Sequence, residues 1–89
     1  MSRYVIERTL PGAGNLGEKE LHDISAASNA VLSGMDDVTW VESYVTDDKL
    51  YCVYDADDPA RIEEHARLGG FPCDSVSAVR TVISPETGR

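Results

Sequence analysis

The sequence predicts an α+β fold in which one four-stranded antiparallel sheet carries two helices on a single face. Three observations predict it. The run from Trp40 to Val82 reads strand, tight turn, strand, capped helix and strand without interruption. A β-branched and aromatic segment and then an amphipathic helix precede that run, so the full order is β-α-β-β-α-β. Each helix has an apolar stripe that must be covered, and one sheet face is an economical way to cover both.

Arg3 to Thr9 (R-Y-V-I-E-R-T) has the composition of a strand, and Pro11-Gly12-Ala13-Gly14-Asn15 follows it as a cluster of turn formers. From about Glu18, Leu21, Ile24, Ala27, Val31 and Leu32 recur at helical spacing, with Glu18, His22, Ser25 and Asn29 on another face. Gly34 is placed to end that helix. Val38 to Thr46 alternates as a strand, putting Val41, Ser43 and Val45 on one side and Trp40, Glu42 and Tyr44 on the other. Asp47-Asp48 supplies a tight turn, because Asp tolerates unusual backbone angles, and Lys49 to Asp55 returns as the hairpin partner. Asp58-Pro59 is an N-cap with proline at the first helical position, Gly69-Gly70 closes the second helix, and Ser75 to Ile83 is the last strand. This is the ferredoxin-like, or split β-α-β, arrangement, and right-handed crossovers order its strands four-one-three-two. One domain spans residues 1–84, and residues 85–89 form a short polar tail expected to fray.

With 89 residues, 42% hydrophobic and 27% charged, the chain has the composition of one small globular domain with a modest core. Its formal net charge of -8, from 16 acidic against 8 basic residues, repels phosphate backbones and argues against nucleic acid as a partner. No apolar run approaches the roughly 20 residues that span a bilayer, and the N-terminus leads into a strand, so neither a membrane nor a signal peptide is expected. Cys52 and Cys73 lack C-x-x-C spacing and a dense cysteine framework, which fits reduced thiols and a cytoplasmic location. Cys52 is expected to be a small core residue, and Cys73, beside Asp74 and past a helix C-terminus, an unreactive thiol.

Both faces of the sheet hold apolar groups whichever side the helices take, since Tyr51 and Val53 oppose Leu50, Cys52 and Tyr54. A second burial is therefore expected, most simply sheet against sheet in a homodimer of the dimeric α+β barrel type.

Two histidines, His22 and His65, lie on the two helices, each near carboxylates, and imidazole with carboxylate suits nickel, zinc or copper. In a homodimer, ligands from two chains complete a site that one leaves half built, with Glu7 and Glu42 as further oxygen donors. Pairing of Glu7 with Arg8 or Arg80 is the purely structural alternative. Trp40, Tyr44, Tyr51 and Tyr54 along the hairpin, with Arg80 on a neighbouring strand, describe either a small-molecule pocket or an aromatic interface. The loop of Gly12, Gly14 and Gly17 does not match the spacing of a phosphate-binding fingerprint, there is no flavin signature, and no nucleophile elbow or Ser-His-Asp pattern occurs.

Three segments together, R-Y-V-I-E-R-T, V-T-W-V-E-S-Y-V-T-D-D-K-L-Y-C-V-Y-D-A and I-E-E-H-A-R-L-G-G-F-P-C-D-S-V, resemble a family of small actinobacterial and proteobacterial proteins with a dimeric ferredoxin-like fold. That family is defined as a domain of unknown function, and one branch of it is nickel-binding or nickel-responsive. The resemblance implies a nickel or other divalent transition-metal ligand, with His65 in the branch's H-x-R pattern alongside Arg67 and Gly69, and His22 as the first-helix histidine. Glu7-Arg8 and Phe71 stand where that branch carries further histidines. The leading expectation is therefore a homodimeric nickel-binding protein. The alternative is a small-molecule carrier or enzyme of the dimeric α+β barrel type with an aromatic-lined pocket.

Overall fold

The computed structural model describes all residues, Met1–Arg89. Strand β1 (Ser2–Thr9) leads through a short 3-10 turn at Ala13–Asn15 into helix α1 (Glu18–Leu32). The hairpin β2 (Val38–Val45) and β3 (Lys49–Ala56) follows, then helix α2 (Pro59–Gly69) and strand β4 (Ser75–Ala78). All pairings are antiparallel and the order is β2-β3-β1-β4, the expected four-one-three-two read from the other edge.

The core lies between sheet and helices. Period-two alternation turns Tyr4, Ile6 and Arg8 of β1 and Cys52, Tyr54 and Ala56 of β3 toward the helices, where all six are buried. Met35, Val38 and Ile62 complete the buried cluster, with Val31, Leu32, Trp40, Leu50 and Val76 packed around it. The other face is open. It carries Arg3 paired with Asp55 at 2.9 Å and Lys49 paired with Glu7 at 2.9 Å, around half-buried Val5, Tyr51 and Val53.

Three expectations are corrected. The register of β2 against β3 skips Val41, which bulges. The extra residue reverses the alternation, so Trp40 lies opposite Tyr54 on the helix-facing side while Glu42 and Tyr44 stay on the open one. Strand β4 stops at Ala78 rather than Ile83, because Ser75 to Ala78 already reach from Glu7 back to Tyr4 and β1 has almost no chain left to pair. Val82 and Ile83 are consequently exposed, and Pro85–Gly88 forms a 3-10 turn capped by Ser84 and Thr87. On α1, Ala27 is exposed and Ser28 is the one buried residue, so the inward stripe contains serines at positions 25 and 28.

Turn chemistry is mostly as the residues dictate. Asp58 caps α2 by accepting a hydrogen bond from the Ala60 N–H at 2.9 Å, with Pro59 at the first position. At the other end Gly70 takes φ 70, and the Phe71 N–H donates to the Ala66 carbonyl at 2.9 Å, closing a Schellman turn. No residue other than glycine has positive φ, so the Asp47-Asp48 turn is made with ordinary angles and held by Thr46 and Lys49, whose backbone and side-chain groups bond each other.

Candidate functional site

A chamber of about 250 Å³ lies between the sheet and α1. Its apolar wall comes from Leu21 and Ile24 of α1, from Trp40 and Val45 of β2 and from Leu50 of β3. Trp40 reaches it because of the Val41 bulge, and its indole N–H donates to Ser43 Oγ at 2.9 Å. The polar part of the wall is Arg8, Ser25, Ser28, Ser43 and Tyr54, and Phe71 and Pro72 close one end. Phe71 is pressed so tightly under the end of α2 that a Cβ on Gly69 would collide with its ring. The Gly69-Gly70 pair, read in sequence as a helix stop, thus also shapes the chamber.

Arg8 is the unusual member. Its residue is 3% exposed, its Nη1 donates to the Pro72 carbonyl, and its Nη2 has no hydrogen-bond partner. The guanidinium lies 5.9 Å from the Tyr54 ring centre and 5.8 Å from that of Phe71, within cation-π range. Burial works against the Arg8 charge, but Tyr54 and Cys52 offset it and leave the pKa above the ordinary arginine value; neither donates to or accepts from Nη2 in hydrogen-bond geometry. Burial pushes the Tyr54 phenol up, with Arg8 opposing.

Behind this wall His65 is 0% exposed, flanked by Tyr54 and Phe71 with ring centres 5.4 Å away on each side. Its Nε2 is 3.1 Å from Ser28 Oγ, and its Nδ1 has no partner. Burial first, and then the Arg8 charge, hold its pKa below the usual histidine value, so the ring is neutral at pH 7. Ser28 and His65 have the spacing of a nucleophile and its base, but Nδ1 lacks an orienting carboxylate and Arg8 opposes the imidazolium that proton uptake would create. The pair is a buried polar contact, not a built catalytic dyad.

The other expected site residues are dispersed. His22 is on the solvent side of α1, its side chain 79% exposed, 3.3 Å from Asp23 Oδ1. Glu7 pairs with Lys49, not with Arg8 or Arg80, because Arg8 is its strand neighbour and points to the opposite face. Glu42 accepts from the Tyr44 hydroxyl on the same open face as Glu7, with β3 between them. Arg80 is exposed beyond the end of β4. Of the aromatic set, Trp40 and Tyr54 meet in the chamber, whereas Tyr44 and Tyr51 face each other across the open face. Cys52 is buried against the chamber, and burial followed by Glu63 and Asp74 raises the Cys73 thiol despite Arg8. No three His, Cys, Asp or Glu side chains are grouped to hold a metal ion.

The residues that the sequence reading missed are Arg8, Ser28 and Phe71. A signal for Arg8 was present: it continues the 4, 6, 8 alternation of Tyr4 and Ile6 and so had to face the core.

The profile of the nickel responsive protein SCO4226-like family matches residues 4–79. The chain belongs to that family. The crystal structure of SCO4226 from Streptomyces coelicolor A3(2) has the same fold as this SCO4226-like chain, with a TM-score of 0.78 at 14% identity, covering 92% of this chain and 100% of that one. No curated protein matches the SCO4226-like chain. No helix is long and apolar enough to cross a membrane.

Proposed function

We propose that this protein is a binding protein serving a nickel response, and that its ligand-holding part is the chamber under α1, which takes a small organic molecule. One observation carries the reading: a cavity of about 250 Å³ with an apolar wall and a few convergent polar groups, which is the general form of a small-molecule site and falls below the roughly 300–1,000 Å³ of sites for drug-sized ligands. The absence of an oriented base favours binding over catalysis. Trp40 is the sole tryptophan and lines the chamber, so its emission reports occupancy directly. Titration with a neutral aromatic probe, benzyl alcohol, is expected to change Trp40 emission saturably, and filling the space with Ser25→Phe to abolish the change. An emission change that survives Ser25→Phe, or none in the parent chain, contradicts the reading.

Family membership favours a second reading, direct uptake of nickel. His22 with Asp23 supplies exposed donors on the solvent side of α1, and a second copy that meets this helix surface completes the set. Calorimetry of tag-free protein with nickel checks it: the expected heat disappears in His22→Ala and persists in His65→Ala. Heat unaffected by His22→Ala removes this reading, and a monomer by analytical ultracentrifugation removes its two-chain form.

A further inference from the structure

We infer that the chamber selects a small amphipathic carboxylate, a single-ring or short-chain acid whose anionic end is held by Arg8. The inference rests on the chamber reading and adds the chemistry of its occupant. Four other arginines each have a carboxylate partner: Arg3 with Asp55, Arg61 with Asp37, Arg67 with Glu64 and Arg89 with Glu86. Arg80 is exposed to water. Arg8 alone is buried, and no Asp or Glu of the chain reaches it.

A buried charge without a counter-charge is costly, and a guanidinium stays protonated at any physiological pH, so the cost is not relieved by losing the proton. Part of it is offset by the Tyr54 and Phe71 rings and by the Pro72 carbonyl. What is left is Nη2, a donor on a planar fork suited to a carboxylate; it is itself shielded from solvent, but Arg8 lines the same cavity as the apolar side made by Leu21, Ile24 and Trp40, and a small turn of the guanidinium presents the fork to a ligand there. Ser25 and Ser28, also on the wall, offer further hydroxyls. The body of the ligand must be apolar, because a free inorganic anion would leave that side unfilled. The net charge of -8 repels anions at long range, so selection rests on the local contact.

Calorimetry on the full chain, in buffer free of chloride, compares phenylacetate, phenylacetamide and acetate. Phenylacetate is expected to bind about tenfold or more tighter than its neutral amide, the gain of a charge-assisted pair over a neutral hydrogen bond, and acetate to compete poorly. Arg8→Met keeps the stem, removes the charge and is expected to erase the preference for acid over amide. Equal binding of acid and amide overturns the inference while leaving the chamber reading intact if benzyl alcohol still reports at Trp40. Acetate binding as tightly as phenylacetate, a preference that survives Arg8→Met, or no binding of phenylacetate also overturns it. The acid-against-amide comparison needs no variant, so it stands if Arg8→Met does not fold.

Discussion

The two helices occupy equivalent places in a β-α-β-β-α-β chain, yet they meet the sheet differently. Helix α2 packs down hard: Ile62, His65 and Ala66 are buried, and its Schellman turn folds Phe71 back beneath it. Helix α1 buries Ser28 alone, and its Leu21 and Ile24 look into the chamber. The difference teaches that one half of the fold acts as a clamp and the other as a lid. The clamp holds Tyr54, Phe71 and His65 around Arg8, and the lid leaves room beside it.

The sharpest way to break this comparison is to truncate one residue of each helix. Ile62→Ala is expected to cost about 2–5 kcal/mol in urea unfolding, since it empties a filled site, whereas Ile24→Ala is expected to cost less than about 1 kcal/mol because it borders space already present. Equal losses mean that α1 packs as tightly as α2. Next in size is Gly69→Ala, which helix propensity alone would make favourable. The contact with Phe71 reverses the sign, and a loss of about 1–2 kcal/mol by the same measurement is expected.

A smaller effect concerns pH. His65 has a folded pKa below the ordinary 6.5, so the unfolded chain binds more protons between the two values. Stability is full above pH 6.5 and falls as the pH drops from there toward the folded value. This decline begins before Asp37, Asp55 and Glu64 protonate, because their Arg61, Arg3 and Arg67 partners hold them below the ordinary carboxylate values of 3.8, 3.8 and 4.5. His65→Leu is expected to flatten the pH dependence of the unfolding midpoint just below pH 6.5. A slope unchanged in that variant assigns it to another group. The least effect is expected on the open face, where Lys49→Ala removes a half-exposed ion pair and moves the unfolding midpoint less than any of these changes.

Much of the fold was legible because its signals are local. The strand at Arg3 to Thr9, the Asp58-Pro59 start and the Gly69-Gly70 stop each follow from a few neighbouring residues. The site was less legible because it depends on register and on how far a helix stands from a sheet. Simple alternation through β2 puts Trp40 beside Tyr44, and the bulge at Val41 separates them. His65 near Glu64 reads as a surface histidine, yet Glu64 turns to Arg67 and the imidazole turns to the core. His22 is the exposed one. A chamber left by one lifted helix has no sequence motif, although its buried cation did.

The lid account is tested most directly by titrating isotope-labelled protein with phenylacetate and following backbone amides and the Trp40 indole by NMR. It predicts saturable shifts centred on the chamber, at the Trp40 indole, Arg8, Phe71 and α1 residues from Leu21 to Ser28, with the open-face residues Tyr44 and Tyr51 unmoved. Shifts centred on Tyr44 and Tyr51, with the Trp40 indole unmoved, would contradict it.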